Sequence, residues 1–180
     1  MEGWRIKAKN MALCGLFAAL LTICAWICVP LADTVITLQT FGLFLCLGTL
    51  GGKRGFAATA VYLLLGVIGL PVFSGFRGGI GTLLGVTGGY LTGFLITSAV
   101  YWLITALAGD IPKVRLFAFI CGLLLCYVFG TLWYYWVFIS SGSLVSISIL
   151  LTKCVFPFLL PDGIKLVLAW QLSKKLRRFV

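Results

Sequence analysis

The chain has 180 residues, of which 62% are hydrophobic and only 10% are charged, and its formal net charge is +10. A water-soluble domain carries about 25% charged residues, so this composition excludes an ordinary soluble surface and indicates an exterior in hydrocarbon. The sequence has no histidine and only four acidic residues, which excludes histidine metal sites and histidine general bases. We expect neither an enzyme nor a resident metal or cofactor.

The apolar runs are continuous and lack the alternation of barrel strands, which predicts transmembrane helices. A span needs about 20 residues, and six segments fit: Met11–Val29, Ile36–Gly51, Gly55–Leu70, Gly88–Ala108, Leu116–Ile139 and Ile147–Leu172. The sequence therefore predicts an all-α integral membrane protein with six transmembrane helices in a single membrane domain, residues 1–180. If residues 36–70 are partly re-entrant, the number of spans falls to five.

The lysines and arginines are distributed unevenly between the two sides of these helices. Arg77 and Lys153 would lie on one side, and Lys165 would lie inside the last helix. The other side would hold eleven cations: Arg5, Lys7, Lys9, Lys53, Arg54, Lys113, Arg115, Lys174, Lys175, Arg177 and Arg178. Because cytoplasmic segments are enriched in lysine and arginine, both termini are predicted to be cytoplasmic. Short basic groups between apolar runs are typical of topology signals, so we expect no nucleic-acid partner.

The first helix carries small residues at helical spacing. Gly15 and Ala19 are four residues apart, and so are Cys14 and Ala18. Small residues at this spacing allow another helix to approach closely. The neighbouring helix could belong to this chain or to a partner, and the sequence pattern is compatible with both.

The connection between the third and fourth helices, residues 71–87, is rich in glycine but apolar. Glycine allows a close approach of the backbone to a ligand, and Phe73 and Phe76 are expected to fold inward. This pattern predicts a lid over a cavity; the alternative is a loop that only packs on the helix ends. Glycines recur every fourth residue at positions 81, 85, 89 and 93, which predicts close helix packing.

Asp162 and Lys165 lie within the last helix. Their i, i+3 spacing places them on one helical face, and ionisable groups at membrane depth usually face a cavity or a partner. The pair could accept N–H groups and donate to the C=O of a cyclic urea or amide; the alternative is a pair that only neutralises itself. Gln39 can also donate and accept, and Tyr90 could complete an aromatic wall.

Five segments together resemble the BioY family, the biotin-binding S-components of energy-coupling factor (ECF) transporters: Thr37–Phe41, Gly66–Phe73, Gly78–Gly81, Gly85–Phe94 and Pro161–Lys165. The resemblance covers nearly the whole chain. It implies six helices and a biotin pocket on the outer side, closed by the connection between the third and fourth helices. Two positions depart from the family pattern: Val86 stands where proline is common, and Arg77 stands where a small or neutral residue is expected.

The resemblance also implies a bacterial plasma-membrane location and partners: a membrane coupling subunit and two ATPase subunits. The docking surface would be the small-residue face of the first helix, with Gly15, Ala18 and Ala19. Asp162 and Lys165 would contact the ureido ring and Arg77 the valerate carboxylate; the reverse orientation, with Lys165 on the carboxylate, is also possible. The expected substrate-binding residues are Gln39, Phe73, Arg77, Gly78, Gly79, Tyr90, Asp162 and Lys165.

The sequence is compatible with three alternative functions. The chain could bind another small vitamin, it could carry biotin without a coupling module, or Asp162 and Lys165 could form the acid–base pair of a membrane enzyme. A single carboxylate without histidine or a metal cluster disfavours the enzyme. Lys53 is followed by Arg54 rather than serine or threonine, so the chain lacks a P-loop, and ATP hydrolysis is expected only in partner subunits.

Overall fold

The computed structural model describes residues 2–31, 34–142 and 146–179, and most of them are helical. The helices are α1 (Glu2–Trp26), α2 (Gln39–Leu50), α3 (Gly52–Val67), α4 (Ile80–Leu84), α5 (Gly88–Ala108), α6 (Pro112–Ser140), α7 (Ile147–Cys154) and α8 (Phe156–Leu176). Two short strands, β1 (Cys28–Leu31) and β2 (Thr34–Thr37), form an antiparallel hairpin between α1 and α2. A single 3-10 turn, Ser74–Phe76, precedes α4. The predicted helical fold class is confirmed.

Three helical segments of the described chain are long and apolar enough to cross a membrane: Lys7–Trp26, Gly88–Ala108 and Pro112–Ser140. Helix α2 is apolar but has only 12 residues. Helix α8 has 21 residues, which corresponds to about 31 Å at 1.5 Å per residue. Large apolar side chains face outward on these helices, for example Leu107 on α5 and Leu132 on α6. This surface suits hydrocarbon rather than water.

The predicted boundaries of the first two helices were wrong because a hairpin occupies the segment between them. Helix α1 ends at Trp26 rather than Val29, and α2 begins at Gln39 rather than Ile36. Pro30 cannot donate a helical hydrogen bond. Val29 before it and the four β-branched residues 34–37 after it favour an extended backbone. Cys28 pairs with Thr37 across the hairpin, which brings the end of α1 beside the start of α2.

The predicted helix Ile147–Leu172 is interrupted in the structure. Val155, with φ −120° and ψ −57°, separates α7 from α8. Pro157 explains the break, because its ring would clash with the preceding turn if the helix continued without interruption. The break lies seven residues before Asp162. The segment predicted to be an irregular lid, residues 71–87, is partly helical in the structure, because residues 80–84 form the short helix α4.

The glycines of α5 show where close helix packing occurs. A Cβ atom on Gly89 would lie 2.3 Å from Trp133, and one on Gly93 would lie 2.8 Å from the Sγ atom of Cys126, both on α6. The predicted small-residue packing is therefore confirmed at these two positions. Gly81 differs, because a Cβ atom there would meet nothing within 4 Å. Close packing of glycines against α6 is thus found in α5, and Trp133 Nε1 of α6 also donates to the carbonyl oxygen of Gly85, between α4 and α5, at 3.0 Å.

An ionic cluster joins the end of α8 to the connection between α5 and α6. Arg115 Nε lies 2.9 Å from the Oδ1 atom of Asp110, and Arg177 donates to Asp110 Oδ2. The hydrogen bond from Arg177 lowers the pKa of the Asp110 carboxyl. Nearby, Trp170 Nε1 donates to the carbonyl oxygen of Pro112 at 3.0 Å. These contacts hold α8 against α6 at the end of the bundle remote from Tyr90.

Candidate ligand-binding site

A cavity of about 530 Å³ lies between the hairpin, residues 73–87 and helices α5, α6, α7 and α8, with the first turn of α2 at its wall. Sites for small ligands range from about 300 to 1,000 Å³ and combine apolar walls with a few polar groups. This cavity follows that pattern, since aromatic and aliphatic side chains such as Phe73, Leu91, Phe94 and Phe158 surround a small polar cluster. Its size is appropriate for one small organic ligand.

The polar cluster is centred on Asp162. Lys165 Nζ donates to Asp162 Oδ1 at 2.7 Å, and Thr40 Oγ1 donates to the same oxygen at 2.9 Å. Tyr127 donates its hydroxyl to Asp162 Oδ2 at 2.7 Å. The Asp162 and Lys165 side chains are only 4% and 10% exposed. Buried charges are costly unless they are paired and hydrogen-bonded, and this network meets that requirement.

Three helices position this cluster. Helix α8 presents Asp162 and Lys165 one turn apart, α6 contributes Tyr127, and α2 contributes Thr40 from its first turn. The N-terminal end of a helix carries a partial positive charge that stabilises a nearby carboxylate. The short α2, which starts at Gln39, therefore places a favourable helix end beside Asp162.

The ion pair keeps hydrogen-bonding capacity for a ligand. A carboxylate offers roughly four acceptor positions, and the contacts from Lys165, Thr40 and Tyr127 use three of them. The Lys165 ammonium has three N–H groups; one contacts Asp162, and a second points to Thr40 Oγ1 at 3.4 Å. Both charged residues line the cavity. The cluster can therefore accept a hydrogen bond from a ligand N–H and donate one to a ligand carbonyl.

A second set of hydrogen bonds connects α2 to α3 and to Val72, the residue before Phe73 of the cavity wall. The Gln39 amide donates to the Tyr62 hydroxyl, and Tyr62 donates to the carbonyl oxygen of Val72 at 3.2 Å. The Tyr62 ring also packs edge-on against Phe73, with the centroids 5.6 Å apart. Gln39 is 5% exposed and lines the cavity. Its orientation is thus fixed by Tyr62, which sequence reasoning missed.

Tyr90 lines another part of the wall, at the start of α5. Its hydroxyl lies 3.1 Å from Thr131 Oγ1 on α6, and its ring packs against Gly130, where an added Cβ atom would come within 2.3 Å. The absence of a side chain at Gly130 therefore allows the Tyr90 ring to pack closely against α6. Tyr90 is one of six predicted site residues that share this cavity; the others are Gln39, Phe73, Arg77, Asp162 and Lys165.

Gly78 and Gly79, also predicted to contact the ligand, lie outside the cavity wall. The Gly79 N–H donates to the carbonyl oxygen of Gly66 at 2.7 Å, with φ +87° at Gly79. A Cβ atom on Gly78 would lie 2.2 Å from the carbonyl oxygen of Leu70. Both glycines therefore shape this turn: a side chain would clash at Gly78, whereas Gly79 has space around it but adopts a positive φ that disfavours other residues. This placement corrects the predicted ligand contact.

The aromatic residues of the lid also differ from expectation. Phe73 is 1% exposed and lines the cavity, as predicted, but Phe76 is 64% exposed. Phe76 packs against Trp26 with ring centroids 4.9 Å apart, and Trp26 Nε1 donates to the carbonyl oxygen of Pro71 at 2.8 Å. The end of α1 therefore holds the outer side of the lid. Arg77, on the opposite side of this turn, lines the cavity and is exposed.

The small-residue face of α1 is only partly exposed. Gly15 and Ala19 are exposed, and a Cβ atom on Gly15 would meet nothing within 4 Å. Ala18 is 1% exposed and belongs to the core. The expectation that Ala18 contributes to a docking surface was therefore wrong, because its position on the helix turns it toward the rest of the bundle.

Sequence reasoning missed three residues that the structure brings to the polar clusters: Thr40, Tyr62 and Tyr127. A signal for Tyr127 exists in α6, where Tyr127, Thr131 and Tyr134 recur at spacings of four and three and therefore share one helical face. Thr40 stands beside Gln39 within Thr37–Phe41, one of the segments that carry the family resemblance. The Tyr62 contact has no comparable local pattern.

The BioY family model matches residues 1–180. A "Probable biotin transporter BioY" from Pyrococcus horikoshii is 36% identical over 173 residues, which is 96% of this chain and 98% of the relative. A "Biotin transporter BioY" from Thermotoga maritima is 36% identical over 175 residues, 94% of this chain and 96% of the relative. A crystal structure of "the S-component for biotin from an ECF-type ABC transporter" has a TM-score of 0.81 and 26% identity, covering 97% of this chain and 93% of that one.

Proposed function

This chain belongs to the BioY family of transporter S-components, and on that premise we propose that it binds biotin for an ECF-type transporter. The family is one of substrate-binding transport subunits, not of enzymes. One observation supports the proposal most strongly: the buried Asp162–Lys165 pair lines a cavity sized for one small ligand. We assign this cavity as the biotin pocket.

The ureido ring of biotin matches the hydrogen-bonding capacity of the pair. The ring is neutral and carries N–H donors and one carbonyl acceptor, so Asp162 would accept from an N–H and Lys165 would donate to the carbonyl. Gln39 and Tyr90 would add polar contacts, and Phe73 would cover the ring. A neutral polar ring suits this position because a net-neutral ion pair does not attract a further charge.

The valerate carboxylate is assigned to the exposed part of the cavity, near Arg77. In the reverse orientation the carboxylate would approach Lys165 and therefore also Asp162, whose Oδ1 atom lies 2.7 Å from that ammonium. Two carboxylates at such a short distance repel each other, most strongly where water is excluded. The orientation with the ureido ring at the ion pair avoids this repulsion and leaves the carboxylate partly hydrated.

We further propose that α1, α2, α3, α5, α6 and α8 are the six spans of one membrane domain, in a bacterial plasma membrane, with both termini cytoplasmic. The eleven-to-two division of lysine and arginine supports this orientation. The exposed face around Gly15 and Ala19 would dock on a membrane coupling subunit, and two ATPase subunits would supply the energy. Solitary biotin transport and binding of another vitamin are the competing proposals.

An uptake assay tests the coupling proposal. Cells without their own biotin uptake would express this chain alone, with a coupling module, or with a module whose ATPases are inactive. We expect ATP-dependent accumulation of labelled biotin only with the active module. Ala19→Leu should weaken docking, and thereby uptake, by about tenfold, which corresponds to about 1.4 kcal/mol, while leaving biotin binding unchanged. Ala106→Leu, at an exposed position on α5, is the matched control and should preserve both.

Two outcomes would count against this proposal. Equal accumulation with and without an active module would favour a solitary carrier. Normal coupled uptake by Ala19→Leu, with normal membrane insertion, would remove α1 from the docking surface and leave biotin binding as a separate question.

A further inference from the structure

The Tyr62 hydroxyl determines which end of the Gln39 amide is turned toward α3. Tyr62 is fully buried, and its hydroxyl contacts the Gln39 amide and lies 3.2 Å from the carbonyl oxygen of Val72. A hydroxyl carries one proton, and a carbonyl oxygen can only accept. The hydroxyl proton therefore goes to Val72, and Tyr62 accepts a hydrogen bond from the Nε2 atom of Gln39.

The opposite orientation of the Gln39 amide is unfavourable. With Oε1 turned toward Tyr62, this oxygen and the Val72 carbonyl oxygen would compete for the single hydroxyl proton. Gln39 and Val72 are both buried, and a buried polar atom without a hydrogen-bond partner is costly. The hydrogen bonds of Tyr62 thus distinguish the two ends of the amide.

The fixed orientation leaves the Gln39 carbonyl oxygen available to a ligand. Gln39 lines the cavity, and Tyr62 lies behind it on α3. Nε2 is turned toward Tyr62, whereas no donor among the described residues contacts Oε1. An amide oxygen is a hydrogen-bond acceptor with two lone pairs. Gln39 therefore offers the cavity an acceptor for a ligand N–H group.

Aromatic packing holds Tyr62 in this position. Its ring lies edge-on to Phe73, with the centroids 5.6 Å apart. The Phe73 ring in turn occupies the space at Gly66, where an added Cβ atom would lie 1.9 Å from it. Tyr62 and Phe73 are both among the fully buried side chains. The Tyr62 hydroxyl is thus fixed without a ligand, and so is the orientation of Gln39.

We propose that Tyr62 is a positioning residue of this site, because it holds Gln39 as the acceptor for a second N–H group of the ligand ring. A cyclic urea carries two N–H groups, one on each side of its carbonyl. Asp162 accepts from one N–H, Lys165 donates to the carbonyl, and Gln39 accepts from the other N–H. The site is thereby specific for a cyclic urea over a cyclic amide, which has one N–H. This inference rests on the proposed binding of biotin and adds the origin of its ring specificity.

Two lactam analogues of biotin, each with one ureido N–H replaced by CH₂, test this inference by calorimetric titration of the purified protein. Tyr62→Phe keeps the ring that packs on Phe73 but removes the hydroxyl that orients Gln39. It should weaken binding about tenfold for biotin and for the lactam that keeps the N–H facing Gln39, as expected for one lost hydrogen bond. The other lactam offers Gln39 no N–H, so its affinity should change less than about twofold. Gln39→Met, which leaves the hydrogen bond from Tyr62 to Val72 in place, should spare the same lactam.

Tyr101→Phe is the matched control. Tyr101 is buried as deeply as Tyr62, but its hydroxyl has no hydrogen-bond partner among the described residues. This variant should bind all three ligands as the wild type does. Unchanged biotin affinity in Tyr62→Phe, or equal losses for all three ligands in Tyr62→Phe or Gln39→Met, would overturn the inference but leave the proposed function intact. A wild-type protein that does not bind biotin would overturn both.

Discussion

Asp162→Asn should weaken biotin binding by about 1–3 kcal/mol, which corresponds to about 5- to 150-fold in the dissociation constant. The carboxylate accepts hydrogen bonds from Lys165, Thr40 and Tyr127, and in the proposed complex it also accepts one from the ureido ring. Asparagine has a single amide oxygen and would turn its NH₂ group toward donors. Calorimetric titration of the variant with biotin measures the loss.

The same substitution leaves the Lys165 ammonium buried without its counter-ion. Removing one member of a buried ion pair costs about 3–5 kcal/mol of stability, so ligand-free Asp162→Asn should unfold at a lower temperature than the wild type. The double variant Asp162→Asn, Lys165→Gln is the control, because it removes the unpaired charge. We expect it to recover thermal stability and not biotin affinity. An unchanged biotin affinity in Asp162→Asn would show that this carboxylate does not contact the ligand.

Gly88→Ala should destabilise the protein by about 1–3 kcal/mol or more, because the added methyl group cannot be accommodated. A Cβ atom at this position would lie 1.6 Å from the carbonyl oxygen of Leu83 and 2.4 Å from its carbonyl carbon. Both are backbone atoms, so α4 would have to move relative to α5. Since Thr87 and Tyr90 line the cavity beside Gly88, biotin binding should fall together with the midpoint of thermal unfolding.

Gly81→Ala provides the matched control seven residues earlier. A Cβ atom on Gly81 would meet nothing within 4 Å, and alanine stabilises a helix by about 1 kcal/mol relative to glycine. We expect this variant to be at least as stable as the wild type and to bind biotin normally. Equal stability and equal biotin affinity of the two variants would contradict a tight junction between α4 and α5 at Gly88.

Some features of the site follow directly from local sequence. The pairing of Asp162 with Lys165 follows from their i, i+3 spacing, because residues at that separation share a helical face. The packing of Gly89 against α6 likewise follows from the four-residue glycine spacing. Such predictions succeed because helical geometry alone relates the residues concerned.

Other features depend on contacts between residues that are distant in sequence. Thr40 is 122 residues from Asp162, and Tyr127 is 35 residues from it. Their convergence results from the packing of α2, α6 and α8, which no local pattern specifies. The hairpin was missed because its strands overlap the ends of two apolar runs, Met11–Val29 and Ile36–Gly51, that hydropathy alone assigns to helices. Phe76 faces outward because Trp26 provides a partner there, a contact that the composition of the lid does not predict.

Calorimetric titration of the purified, ligand-free protein in detergent with biotin tests the proposed site without intermediate steps, with riboflavin and thiamine as controls. The proposed function predicts saturable binding of about one biotin per chain, the stoichiometry of a single pocket, and no binding of either control. A folded preparation that binds no biotin would contradict the proposed function, and saturable binding of riboflavin or thiamine instead would assign the cavity to another vitamin.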